Sequence, residues 1–349
     1  DMCSSDLKLG IKATPTAVLQ YGDKGGAVGY LVGQENRGLE YMFIMMNAAR
    51  FAVGMQGISV AERAYQKAVS YARDRVQSRD LAGSAGPVAI IHHPDVKRML
   101  MSMRAQTEAA RALSYVTAAA FDAAHHHTDE ATRKVNLAFY EFMVPIVKGW
   151  STEMSIDVAS TGVQVHGGMG FVEETGAAQH YRDARILTIY EGTTAIQAND
   201  LVGRKTLRDG GELAKHLIGQ AAATATELIA TGHAELAAIG QRLAAASNDL
   251  KSIVEFVATN GKGDIKAAFA GSVPYLKIAG IVFGGWQMAR AAKVATSKLA
   301  EGAGDASFYK AKIATARFFA DHYLSTSSAA RIAIVEGSVG VLALADEQF

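Results

Sequence analysis

Between Gly38 and Val76 the apolar positions Leu39, Met42, Phe43, Met46, Val53, Gly57, Val60, Ala64, Ala68 and Ala72 recur at helical spacing. The pattern predicts one helix of about 55 Å, at roughly 1.5 Å per residue. Long antiparallel helices of this kind bury their apolar stripes in a four-helix bundle. The composition agrees, with only 5 prolines in 349 residues and many Ala-rich stretches. Pro94 stands where a second helix can begin, over 95–124. A third helix is expected at about 130–149 and a fourth at 152–165, which would complete a four-helix bundle. "RDRVQSRDLAGSAGP", between the first two helices, reads as a loop.

The flanks differ in character. "TAVLQYG" and "AVGYLVG" are β-prone runs on either side of a "GDKGG" turn, so residues 8–36 read as the end of a β-domain. Beyond "VGRKTLRDGG" further helices are expected at 212–246, 248–259 and 263–300, and amphipathic segments at 305–345 with a break at Gly337–Ser338. Residues 206–349 therefore read as a second helical domain after one spanning 37–205. The first seven residues, "DMCSSDL", have no period and resemble the translated end of a sequencing adapter, so 1–7 is set aside and more coding sequence is expected upstream. Cys3 is the single cysteine, which excludes disulfides, thiolate catalysis and cysteine–metal sites. With 35 basic and 34 acidic residues the net charge is +1, so nothing marks a nucleic-acid or anionic-membrane partner. No apolar run reaches the roughly 18 to 20 residues of a membrane span. The chain as given reads as soluble and cytoplasmic.

Four patches depart from plain helix. "QVHGGMGF" (164–171) has three glycines in four positions, which stop a helix and let backbone N–H groups approach a ligand; a simple interhelical turn is the alternative. Arg73, Arg75 and Arg79 close the first helix, either as cations at its C-terminus or as a guanidinium fork for phosphate. Asn47 and Arg50 lie one turn apart within an apolar stripe, where an arginine needs a partner or a polar ligand. "HHHTDE" (125–130) reads as a solvated helix end, and no metal site is expected. A fifth stretch, "RDARILTIYEGTTAIQ" (182–197), places Glu191 after an apolar run and before a helix expected near Gly192. Partial burial beside Ile189 and Tyr190 would raise its basicity, and the helix start would lower it. On residue chemistry alone a helix-start acid and a catalytic base both remain open.

Taken together these stretches resemble the acyl-CoA dehydrogenase family over about residues 8–205. "QVHGGMGF…RDARILTIYEGTTAIQ" is similar to the family's flavin-contacting glycine turn and its catalytic Glu-Gly-Thr segment, 27 residues separating Gln164 from Glu191. "LGIKATPT" resembles the end of the family's β-domain. The later helices and the terminal "LADEQF" are similar to the branch that includes 3-methylmercaptopropionyl-CoA dehydrogenases. The resemblance implies a mostly α fold: a four-helix-bundle acyl-CoA dehydrogenase C-terminal domain with an extra C-terminal helical domain, preceded by a remnant of a β-domain. It implies FAD as cofactor, an acyl-CoA substrate, an electron-transferring flavoprotein as acceptor, and a homodimer or tetramer. Glu191 would remove the α-proton, and Ala49 fills the position where some relatives carry the base instead. Arg75 and Gln77 would contact flavin across a dimer interface. Gln164, Gly167 and Gly168 would lie on its adenosine side, with Thr193 and Thr194 as contacts after the base. Asn47, Arg50, Tyr190, Gly192 and Arg204 would face acyl-CoA, Arg204 only if one residue is inserted. "SRDLAGSAGP" replaces an aromatic-glycine pair common in relatives, and Ala195 replaces a polar residue often used on flavin. An acyl-CoA oxidase shares the chemistry, and a non-catalytic nucleic-acid-binding flavoprotein relative is the reading from another class.

Overall fold

The protein is described here as a computed structural model covering residues 6–349, the side chains of Phe43 and Ile44 excepted. Cys3 and the rest of 1–5 lie outside the described residues.

Three long helices form the frame: α1 (Gly38–Asp74), α2 (Pro94–His126) and α3 (Glu130–His166). The α1 stripe is buried from Val53 through Ile58, Ala61, Ala64 and Ala68 to Ala72, as its spacing requires. Its first turns are not: Leu39 and Met42 are exposed. A Cβ at Gly57 would lie 2.7 Å from the Ser151 carbonyl, so glycine is what lets α1 close on α3.

The expected break in α3 near residue 150 is absent. Pro145 sits inside the helix, which runs on through Gly149 and Trp150 to His166. Those residues mark close packing instead. A Cβ on Gly149 would strike the Leu276 side chain at 2.7 Å, and one on Gly284 would strike the Trp150 ring at 2.6 Å. Both contacts belong to α9 (Ser272–Ala300), which packs on α2 and α3 as the fourth long helix in place of the expected 152–165 segment.

Short α4 (Ala177–Arg185) and α5 (Thr194–Asp200) lie on α3, and a π-helical stretch, 201–207, follows α5. Then come α6 (Glu212–Ala230), α7 (Ala234–Asn260), α8 (Ile265–Ala270), α10 (Ala306–His322), α11 (Ser327–Val335) and α12 (Ser338–Val341). The break at Gly337 is present. The break expected between 246 and 248 is not, and one at Thr231–His233 takes its place. One hydrophobic core runs from Ile58 and Met103 through Trp150 and Phe283 to Leu243 and Phe319.

Two expectations about strands are corrected. Residues 16–33 form the "GDKGG" turn, with Gly26 N–H on the Gly22 carbonyl, but no ladder. Val28, Tyr30 and Val32 are exposed. The segment ahead of it is anchored instead by the Ile11 N–H donating to Asp183 on α4, at 2.6 Å. Conversely, the expected loop after α1 contains a hairpin of β1 (Val76–Arg79) and β2 (Pro87–Ala89), pairing Val76 with Ala89 and Arg79 with Pro87. Asp80 and Ser84 close it, the Ala82 N–H donating to the Asp80 carboxylate at 2.8 Å. The strand residues of β1 are exposed, so no alternation betrayed them.

Candidate active site

Glu191 ends a short turn that follows α4, and its backbone is left-handed, with φ 54°; Gly192 follows with φ 85°. For a residue with a Cβ such a conformation costs about 1–3 kcal/mol and persists only when neighbours enforce it. Here α3 does so from beneath. Lys148, fully buried, donates to the Leu187 carbonyl at 2.9 Å and to the Gly192 carbonyl at 2.8 Å. Gln197, also fully buried, donates to the carbonyls of Gly192 at 3.1 Å and Glu191 at 3.4 Å. Thr194 is buried and its hydroxyl donates to Glu153 at 2.5 Å. Thr193 caps α5, accepting from the Ile196 N–H at 3.3 Å, so the helix starts two residues later than the expected Gly192.

Burial pushes Lys148 down from 10.5 to about 8; Arg50 works in the same direction, while Glu153 and Glu191 oppose it. The expected burial of Glu191 is absent in this chain, because Glu191 and Ile189 are exposed.

The proposed substrate residues on α1 and after α5 have partners within the chain in two cases. Arg50 is buried and pairs with Asp200 at 3.1 Å, and exposed Arg204 approaches the other oxygen of Asp200 at 3.7 Å. The arginine in the apolar stripe has therefore found its counter-charge within the chain. The Tyr190 hydroxyl donates to Gln56 on α1. Asn47 is half-buried on α1, one turn before Arg50.

The remaining positions lie elsewhere. Arg75, Gln77, Gln164, Gly167 and Gly168 line one cleft of about 570 Å³ at the far end of α3. No atom lies within 4 Å of where a Cβ on Gly167 or Gly168 would sit, so the glycine backbone faces open space. Arg75 caps α1 and has no carboxylate partner among the described residues. A cradle of bare backbone with one uncommitted guanidinium suits a phosphate-bearing ligand, and FAD fits it on those grounds. His166 was not foreseen. It is buried, stacks on Tyr71 at 4.4 Å and donates from Nδ1 to the Gly162 carbonyl at 2.7 Å, and burial lowers its pKa. A neutral ring thus packs the floor of the turn. From Glu153 to Gln164 is about 16 Å along α3 at ~1.5 Å per residue, so the seven cofactor positions fall into two groups. Sequence reasoning also missed Lys148, Gln197, Glu153 and Asp200. Lys148, inside the apolar run "VPIVKGW", was the one with a visible signal.

Residues 36–206 match the model for an acyl-CoA dehydrogenase C-terminal domain, and 216–345 match the "acetyl-CoA dehydrogenase C-terminal like" model. The chain is 54% identical to 3-methylmercaptopropionyl-CoA dehydrogenase of Ruegeria pomeroyi, over 93% of this chain and 55% of that protein. It is 36% identical to a broad-specificity linear acyl-CoA dehydrogenase of Mycobacterium tuberculosis, again over 93% of this chain and 55% of the relative. The chain thus spans about half the length of the curated relatives it matches. Its fold is that of an acyl-CoA dehydrogenase from Bacillus anthracis solved with FAD, at a TM-score of 0.74 and 22% identity, covering 99% of this chain and 57% of the other. The chain belongs to the acyl-CoA dehydrogenase family, of which it carries the C-terminal domains.

Proposed function

We propose that this chain is the part of an FAD-dependent acyl-CoA dehydrogenase that carries the catalytic base. It would convert an acyl-CoA thioester, 3-methylmercaptopropionyl-CoA by the name of its 54%-identical relative, to a trans-2-enoyl-CoA. The observation that carries the reading is the Glu191–Gly192 pair, held in a strained backbone with its acid exposed.

Glu191 takes the α-proton onto its carboxylate. The acidity of that proton depends on donors to the thioester oxygen, where negative charge develops. The backbone N–H of Glu191 is the donor this chain offers, and the resemblance supplies its partner in a flavin ribityl hydroxyl. Bound FAD supplies the two-electron acceptor that takes the β-hydrogen with its bonding pair. Arg75, Gln77 and the Gly167–Gly168 backbone would hold its phosphate-bearing portion, and Thr193 would lie nearer the base. Thr194 is left out, because its hydroxyl is committed to Glu153. Electrons would pass on to an electron-transferring flavoprotein, and the assembly would be a homodimer or tetramer.

The test is a polypeptide joining the upstream portion of the Ruegeria relative to this chain, loaded with FAD and mixed anaerobically with the thioester. Flavin bleaching is expected, and it should vanish in Glu191→Gln. Bleaching that persists undiminished in that variant would refute the assignment of the base.

A further inference from the structure

A lysine amine with no exposed surface is a costly way to fill a core, and an apolar side chain of the same length would fill it more cheaply. Lys148 must therefore be judged by what its amine touches. It reaches the carbonyls of Leu187 and Gly192, which bracket the turn containing Glu191, at 2.9 and 2.8 Å. Gln197 meets the same turn from α5, at the carbonyls of Glu191 and Gly192. A Cβ on Gly192 would sit 2.9 Å from the Gln197 amide nitrogen, so the turn has no slack on that side.

We propose that Lys148 is a positioning residue for Glu191: its buried amine grips the two carbonyls so that the acid between them keeps its left-handed backbone and faces the ligand before any arrives. This rests on the reading of Glu191 as the base. The charges that act on Lys148 are Glu153 on its own helix, Arg50 on α1 and Glu191 on the turn. The grip does not depend on its protonation, because a neutral amine keeps two N–H donors, one for each carbonyl. Lys148→Met removes both donors at nearly constant volume. Gln197→Leu removes the second hold independently.

The chain as it stands suffices for the structural arm. Backbone order parameters of Glu191 and Gly192 should be near the rigid value of about 0.85 in the wild type and fall below about 0.6 in Lys148→Met. Amides elsewhere on α3 and α9 should not change. Unchanged order at the turn, or a loss spread evenly along α3, overturns the proposal. Should Lys148→Met fail to fold, the wild type still decides. Scalar couplings across the hydrogen bonds from Lys148 Nζ to the Leu187 and Gly192 carbonyl carbons are expected, and their absence overturns it.

In the joined polypeptide, Lys148→Met should lower kcat by about a hundredfold while KM stays nearly constant, since misplacement of about 1 Å has that effect. If Glu191→Gln abolishes turnover and Lys148→Met leaves kcat unchanged, the positioning role alone fails. If Glu191→Gln leaves turnover intact, the functional reading fails first.

Discussion

The middle and the C-terminal end of α3 hold their functional residues by opposite means. At the Glu191 turn the work is done by buried polar groups, the Lys148 amine and the Gln197 amide, with the buried ion pair of Arg50 and Asp200 on the neighbouring helices. At the glycine cleft it is done by exposed backbone and an exposed cation, with only the neutral His166 ring sealed beneath. The first arrangement makes ligand geometry inseparable from fold stability. The second largely separates them: Arg75 and Gly168 can change without opening the core, whereas Gly167, at φ 59°, accepts a side chain only with backbone strain.

The strongest challenge to that contrast is Glu191→Gln in the joined polypeptide. The amide keeps the shape, so stability and FAD binding should stay level while turnover falls by about 10²–10⁴-fold or more. Flavin absorbance and steady-state rates would show it. Next is Asp200→Ala, which strands a buried guanidinium. It should cost roughly 3–5 kcal/mol in urea unfolding of the chain itself; a cost near that of a surface substitution would show that the buried pair does not tie fold stability to the substrate-side residues.

A third measurement uses pH. The folded value of Lys148, about 8, lies below its ordinary 10.5. Between those values the unfolded chain holds a proton that the folded one has released, so this group's contribution to stability rises with pH. The rise approaches ~3 kcal/mol at full span. Lys148→Met should flatten the stability profile from pH 8 to 10 relative to the wild type, and parallel profiles would contradict the burial argument. The smallest effect on folding is expected at the other end. Arg75→Ala should leave the unfolding midpoint within about 0.5 kcal/mol. It should nonetheless weaken FAD retention by about tenfold, from the loss of one charge-assisted contact. Equal flavin content after gel filtration would remove Arg75 from the cofactor's phosphates.

The contrast also explains what could be read from the sequence. The cleft was legible, because glycines at 167 and 168 and the arginine ending α1 are local signals, and five of the proposed positions meet there. The turn was legible only in its centre. Lys148 and Gln197 act on it from 43 and 6 residues away in the chain, and an i-to-i+4 pattern carries no trace of such partners. Within the fold, the period of α1 and α2 gave their limits closely. Gly149–Trp150 misled because a glycine that breaks an exposed helix can also seat a neighbouring one, and only the facing Leu276 tells which. The strand-like run at 27–33 misled for the converse reason: β propensity makes a strand only where a ladder forms, and among the described residues that run carries none.

That α3 runs unbroken through Pro145 and Gly149 has a consequence for how the protein can vary in length. Both regions hang on one rod, with Lys148 and Glu153 toward its middle and Gln164 at its end. Inserting a single residue between 153 and 164 would swing one region about 100° around the helix axis relative to the other and shift it by about 1.5 Å. No loop intervenes to absorb the change. The connections at 231–233 and 301–305 join helices away from both regions and can lengthen freely. Insertions and deletions should therefore be tolerated in those loops and be lethal to function along α3, even where every side chain is kept.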